Sequence, residues 1–415
     1  MTALPPLPDL LASGPVPHLI AVIGVGGDEV RPIGGAVRNW LLGLAPGDVD
    51  LATTAPPAAV ADRARAAGLK VVPTGIEHGT VTVVVDGQGY EVTTLREDIE
   101  TDGRRAVVRF GRDWTADAAR RDFTVNAMSL SREGELFDYF GGREDLESRR
   151  IRFIGDPASR IREDRLRILR LFRFHATYGA GDIDHAALSA SIAEREGLAE
   201  LSRERVRAEL IKLVVAPAAA ATLQVMADAG LLGPLLGGVP LCGHLGRLAR
   251  IEEALALAPE PARRLGALAA LVREDALRLR ERLALSNEEL RRIDGIAHGW
   301  HGVDPAAGAI AAKSLLYAVG ARGYRDRALV GFARSGAGID DAAWRDLVTL
   351  PERWTAPAFP LTGEHLMARG FVPGPEVGAA LAELKRRWTA LGFPMSAEAL
   401  KRLLDEVALP GGRVH

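Results

Sequence analysis

The hydrophobic period of the chain changes once, near residue 150, and this limits the possible architecture more than any other feature. Before that point, periods of two and 3.6 alternate. Val81-Thr82-Val83-Val84-Val85 and Tyr90-Glu91-Val92-Thr93-Thr94-Leu95 flank Asp86-Gly87-Gln88-Gly89, a strand, turn, strand pattern that predicts a β-hairpin. Gly34-Gly35 opens an amphipathic stretch over 36–42 that reads as a short helix stopped at Gly43, and Asp48-Val49-Asp50-Leu51-Ala52 follows as a short strand. Beyond 150 the strand signals nearly vanish. Residues 161–178, 204–215, 218–229, 245–257, 263–285 and 287–296 all carry helical spacing. Trp354-Thr355-Ala356-Pro357-Ala358-Phe359-Pro360 marks a joint before a last helical segment and a flexible tail over 410–415. The chain therefore predicts a mixed α+β head followed by a long all-α remainder.

At 415 residues there is room for about two to four domains. A hydrophobic fraction of 47% with 26% charged residues suits a well-cored globular protein. The one cysteine, Cys242, cannot form an internal disulfide, which fits a reducing compartment, the cytoplasm. Residues 1–20 lack a basic region followed by an apolar core, so no signal peptide is expected, and no uncharged run is long enough to span a membrane. The net charge of -2 does not mark a nucleic-acid binder. Locally the picture differs: over 104–173 arginine is dense and lysine absent. Planar guanidinium groups suit phosphate and base recognition, although a GC-rich genome produces the same bias.

Four constellations could carry chemistry. Gly34-Gly35 with Arg38 lets backbone N–H groups approach a phosphate, with the arginine one turn into the following helix; alone, the pair is an ordinary tight turn. Asp48 and Asp50, two apart on a strand, point to one face. Such adjacent carboxylates repel unless a cation lies between them, and hard oxygen donors suit Mg²⁺. Glu91 on the neighbouring hairpin could supply a third carboxylate; separately, each of these acids reads as a solvated charge. In Arg120-Arg121-Asp122-Phe123-Thr124-Val125-Asn126-Ala127, a surface ion pair on a helix is the plain account of Arg-Arg-Asp, but the apolar frame implies that the polar members, Arg120, Arg121, Asp122 and Asn126 among them, are partly buried, and buried charges must be paired or functional. Lastly, Asp164, Arg167, Arg170 and Arg173 recur every three residues on a predicted helix. A salt-bridged solvent face explains that spacing. So does base reading, with the Asp164 carboxylate accepting from the exocyclic amine of C or A and Arg167 donating to ring acceptors.

In this order and spacing the residues resemble the class II CCA-adding enzymes and bacterial poly(A) polymerases of the DNA polymerase beta superfamily. The resemblance runs through Ile33-Gly34-Gly35-Ala36-Val37-Arg38-Asn39, Gly47-Asp48-Val49-Asp50, Glu77-His78-Gly79-Thr80, Tyr90-Glu91-Val92-Thr93-Thr94, residues 120–127 and Glu163-Asp164-x-x-Arg167-x-x-Arg170. It is continuous over about 30–178, with fainter echoes at 203–213 and 361–378. It implies a DNA polymerase beta-like nucleotidyltransferase head (1–150), a helical neck that recognises the base (151–215), a helical body (216–350) and a helical, tRNA-binding tail (351–415). It also implies two Mg²⁺ ions on Asp48 and Asp50 with Glu91 as third carboxylate, and Gly34, Gly35, Arg38 and Arg121 around the triphosphate. Asp122 and Asn126 belong to the same nucleotide site. Asp164 and Arg167 would pair with the incoming base, Arg170 and Arg173 would support that pair or grip phosphates, and 102–110 would be a flexible loop that helps switch from C to A addition. The implied substrates are CTP, ATP and tRNA, with no membrane and no protein partner.

Two departures stand out: Arg31-Pro32 occupies a place where relatives have an apolar strand, predicting an irregular strand entry, and Asn39 replaces the commoner aspartate. Within the family, the alternative is a poly(A) polymerase or an enzyme that adds only CC or only A; the nearly neutral 74–80 favours CCA addition over poly(A) synthesis, and an intact 102–110 argues against a CC-only enzyme. A catalytically inactive RNA-binding protein, or an enzyme that transfers nucleotides to a small molecule, are the alternatives of a different kind.

Overall fold

The computed structural model describes residues 4–6, 9–72, 75, 79–102 and 105–406. It divides into two compact units, residues 1–235 and 236–415.

The first unit opens with helices α1 (Asp9–Ala12) and α2 (Pro15–Ile23). Strand β1 (Val30–Ile33), helix α3 (Gly35–Leu41), strand β2 (Asp50–Thr53) and helix α4 (Pro57–Ala66) follow. Then come β3 (Lys70–Val72), β4 (Thr80–Val85) and β5 (Gln88–Thr94). Together with β8 (Ser129–Leu130) and β9 (Leu136–Phe137), these strands make a seven-stranded sheet ordered β3-β4-β5-β2-β1-β8-β9. Only β2 and β5 run parallel. The hairpin turn is tighter than expected: Asp86 and Gly87 (φ 50° and 81°) close a two-residue loop, and Gln88 and Gly89 join the strand. Consecutive positive φ values are what a primed hairpin turn needs, and Asp-Gly supplies them.

Period-two parity then sets the faces. Val81, Val83, Tyr90 and Val92 are buried, whereas Glu91, between Tyr90 and Val92, faces the other way beside Thr82. β1 stays regular through Arg31-Pro32, contrary to expectation. The ring of Pro32 has no N–H to donate, and β1 pairs with β8 only through Ile33. Arg31 itself is buried, its guanidinium 4.1 Å and 3.7 Å from the ring centres of Trp114 and Phe137.

The expected loop over 102–110 is instead half of a second, two-stranded ladder, β6 (Arg96–Asp102) with β7 (Arg105–Phe110). Its tip, the motif residues Glu77-His78 and the expected tail at 410–415 lie outside the described residues.

Helices α5 (Trp114–Ala119), α6 (Gly142–Glu147), α7 (Pro157–Glu163), α8 (Leu166–Tyr178), α9 (His185–Ala193), α10 (Arg203–Val214) and α11 (Ala219–Asp228) complete the unit. The helix predicted over 161–178 is thus two helices. Asp164 is extended (φ -152°, ψ 107°) between α7 and α8. A buried aromatic stack, with Phe123 4.8 Å from Phe153 and 5.3 Å from Phe174, ties α8 to the segment after α5. Removing such a ring typically costs about 3–5 kcal/mol.

Among its described residues the second unit consists of helices and connecting loops, with no strand. The single helix predicted over 263–285 is likewise two, Pro261–Ala269 and Arg273–Leu283. Its core includes Tyr324 and the stacked pair Phe332 and Trp344, 5.4 Å apart. A second apolar cluster gathers Leu366, Leu384, Trp388, Phe393 and Leu403. No helix among the described residues is long and apolar enough to cross a membrane.

Candidate active site

A cleft of about 530 Å³ opens in the first unit, lined by Gly34, Gly35, Arg38, Asp50, Arg120, Arg121, Asp122, Asn126, Asp164, Leu166, Arg167, Arg170, Arg173, Phe174 and Arg205. Of the residues singled out in the sequence, Asp48 and Glu91 alone are missing from this lining.

The Gly34-Gly35 corner joins β1 to α3. Gly34 has φ 62°, and its N–H donates to the Met128 carbonyl at 3.0 Å. One turn on, Arg38 is buried; Nη1 donates to Asn126 Oδ1 at 2.6 Å and Nη2 to the Tyr178 hydroxyl at 2.8 Å. Its guanidinium stacks 4.1 Å from the Tyr178 ring centre. Nε of Arg38 is buried without a partner, and burial pulls the guanidinium below its ordinary pKa. A buried, incompletely paired cation of this kind favours an anion.

Asn126 passes the network on. Its amide donates to Asp122 Oδ1 at 3.2 Å, and Arg170 Nε donates to Asp122 Oδ2 at 2.7 Å. Burial alone would raise the Asp122 pKa; Arg170, with help from Asn126 and the Phe123 N–H, overcomes it and holds the carboxyl below its ordinary value. Arg173 pairs with Glu209 of α10 at 2.5 Å, and the guanidinium lies 4.3 Å from the Phe174 ring centre. The run 120–127, α8 and α10 are therefore one hydrogen-bonded frame.

Asp117 of α5 is the hidden anchor of the Arg-Arg pair. It is 3% exposed and accepts from Arg120 at 2.8 Å and Arg121 at 3.1 Å. Arg121 in turn sits against the Gly34 corner, 3.5 Å from where a β-carbon would stand.

The acidic residues are arranged differently from expectation. Asp48 lies in the bend before β2 and Asp50 is the first residue of the strand, so the strand predicted from Asp48 begins two residues later. Because Leu51 pairs with Val92 in the parallel β2–β5 ladder, Asp50 stands level with Glu91. Burial first, then the Glu91 and Asp48 carboxylates, raise the Asp50 pKa, opposed by Arg121. Among the described residues no group of three acidic, imidazole or thiolate side chains is gathered closely enough to hold a metal unaided.

Around Asp164 the helix break redirects every partner. Leu166 N–H donates to Asp164 Oδ1 at 3.1 Å, and Arg205 donates to Oδ2 at 2.7 Å. Arg167, three residues on, instead donates to Glu163 and to the Arg160 carbonyl at 2.7 Å. Sequence reasoning missed Asp117, Phe174, Tyr178, Arg205 and Glu209. Only the faint echo at 203–213 pointed to the last two.

Residues 30–152 match the family described as "Poly A polymerase head domain", and residues 182–241 match "Probable RNA and SrmB- binding site of polymerase A". Fold and cleft together define a nucleotidyltransferase. The mouse mitochondrial CCA tRNA nucleotidyltransferase 1 is 35% identical over 366 residues, covering 86% of this chain and 82% of that protein. The chain belongs to the family of CCA-adding tRNA nucleotidyltransferases. The Geobacillus thermodenitrificans CCA-adding enzyme is 43% identical over 208 residues, 49% of this chain and 50% of that one. Among solved structures, the Bacillus stearothermophilus CCA-adding enzyme in complex with CTP superposes with a TM-score of 0.73 at 27% identity, covering 94% of this chain and 95% of that one.

Proposed function

We propose that the cleft binds CTP and then ATP, and that the chain extends tRNA 3′ ends by C, C and A with release of pyrophosphate. The observation that carries this reading is the charge of one cavity, where seven guanidinium groups meet three carboxylates and leave a surplus suited to a triphosphate. Gly34, Gly35, Arg38 and Arg121 hold the phosphates, with Asp122 and Asn126 orienting Arg38 and Arg170. Asp164 and Arg167 read the base, and Arg170 and Arg173 back that pair or grip phosphate.

The donor set fits Mg²⁺. The carboxyl group of Asp50 is crowded by Glu91 and Asp48, and a cation relieves that crowding. Mg²⁺ takes one or two carboxylates and fills its shell with water and phosphate oxygens, so Asp48 and Asp50 suffice, with Glu91 alongside. When bound, the metal ions activate the RNA 3′-hydroxyl and offset charge on the departing pyrophosphate. The protein itself positions: the arginine frame fixes the triphosphate, and the helix break fixes the base reader. Residues 1–150 act as head and 151–215 as neck, while body (216–350) and tail (351–415) grip tRNA through charge and shape. The single buried cysteine supports a reducing compartment, and the cytoplasm is our assignment, although the matched mouse relative is mitochondrial.

The test is extension of three RNAs with Mg²⁺ and CTP, ATP or both: a tRNA lacking CCA, a tRNA ending in CC, and an unrelated oligonucleotide. Addition that stops at CCA on the tRNAs alone is the expected result. Long A tails on any RNA would reassign the chain to poly(A) synthesis.

A further inference from the structure

The arginines nearest Asp164 in sequence are all committed elsewhere. Arg162 and Arg165 both donate to Glu194, and Arg167 to Glu163. The guanidinium that reaches the Asp164 carboxylate comes from α10, 41 residues further on: Arg205 Nη2, 2.7 Å from Oδ2. The other carboxylate oxygen is held by the Leu166 N–H. Each oxygen therefore keeps a lone pair free for a ligand. Arg205 itself lines the cleft, and its side chain is one-third exposed.

We propose that Arg205 is the positioning residue that fixes Asp164 as an acceptor facing the base, so that rejection of UTP and GTP depends on a guanidinium supplied by a different helix. This rests on the nucleotide-binding reading above. An extended residue between two helices has freedom in its side chain that a helical aspartate lacks. Two donors arriving from different elements remove that freedom. A carboxylate so held offers acceptors only, and it matches the exocyclic amine of C or A but not the carbonyl that U or G presents there. Freed from Arg205, the side chain can turn away or let water mediate the contact, and the penalty for a base without the amine shrinks. A site built around one hydrogen bond owes its selectivity to that group being ordered before the ligand arrives.

The experiment compares wild type, Arg205→Gln and Arg205→Lys. Equilibrium titrations with CTP, ATP, UTP and GTP in the presence of Mg²⁺ are paired with filter binding of tRNA and with thermal melts. We expect wild type to prefer CTP over UTP, R205Q to lose about tenfold of that preference, the scale of one charge-assisted hydrogen bond, and R205K to fall between them. Affinity for tRNA should be unchanged. Equal weakening of all four nucleotides in R205Q, with the CTP to UTP ratio retained, would overturn the proposal and leave Arg205 a structural residue. Loss of tRNA affinity with the ratio intact would overturn it in favour of an RNA contact, since Arg205 lies within the matched RNA-binding region. Should R205Q not fold, a ratio in R205K within about twofold of wild type would overturn it, because lysine lacks the planar fork. A wild-type protein that binds the four nucleotides alike would instead sink the base-reading assignment of the cleft.

Discussion

Arg38 donates to Asn126 across 2.6 Å, and through that carboxamide the Gly34-Gly35 corner of β1 and α3 is joined to Asp122 and Arg170. Asn126 is 8% exposed and uses both ends of its amide, a role no charged or apolar residue can fill. Asn126→Ala leaves a buried guanidinium and a buried carboxylate each short of one partner. The expected cost is about 1–3 kcal/mol of stability by chemical denaturation, together with a rise in KM for CTP and ATP alike. A mutant with unchanged KM would mean that Arg38 does not face the triphosphate.

Asp50→Asn keeps the shape of the β2 edge and removes the charge that crowds against Glu91. If Asp48 and Asp50 hold the metal ions, kcat falls by about three orders of magnitude or more, the several kcal/mol that a metal contributes to such a transfer. Stripping the wild-type protein with a chelator should give the same loss, reversible with Mg²⁺. Its circular dichroism should not change, because among the described residues no metal is needed to complete a core. Activity that survives the chelator would exclude metal from the reaction.

Much of the head was legible because its signals are local. The Asp86-Gly87 turn and the alternation around it predict the hairpin that sets Glu91 level with Asp50. The break at Asp164 was not legible, since the apolar spacing of 161–178 runs through it without a glycine or proline. What holds the break there is only partly local: the carboxylate accepts from the Leu166 N–H two residues on and reaches outward to Arg205, 41 residues away. In the second unit the same holds for 263–285. The carbonyl of Ala270 in the break is taken by Arg334 at 2.8 Å, from a helix more than 60 residues away. Likewise the apolar frame of 120–127 marks Arg120-Arg121 as partly buried but not what they pair with, because nothing in the sequence shows that Asp117 is buried beneath them.

The Asp122–Arg170 pair makes a pH prediction. The carboxyl of Asp122 has a lower pKa folded than unfolded, where it lies near 3.8. The folded state therefore binds its proton less readily than the unfolded chain. Its contribution is complete above the unfolded value and is lost as pH falls through the lower, folded one. Urea midpoints for wild type should hold level down to about pH 4 and then decline. In Asp122→Asn that part of the acid decline should be absent. Removing the other partner by Arg170→Ala should cost about 3 kcal/mol at neutral pH, because it strands a buried carboxylate.

At the Gly34 corner, backbone and side chain give one answer. With φ 62° and ψ -115°, Gly34 occupies a region in which L side chains are strained, and a β-carbon there would stand 3.5 Å from both Arg121 Nη1 and the Asn126 carbonyl oxygen. Space is therefore adequate, and the cost of Gly34→Ala comes from the backbone, about 1–3 kcal/mol. In the variant the corner relieves that strain by rotating its peptide, which turns the N–H groups that we propose face the phosphates and pulls Gly34 off the Met128 carbonyl. G34A should remain folded, with a lowered melting temperature, while KM for both nucleotides rises and tRNA affinity stays the same. A variant that loses stability but keeps its KM would show that the turn is architectural and that the phosphates are held by the arginines alone.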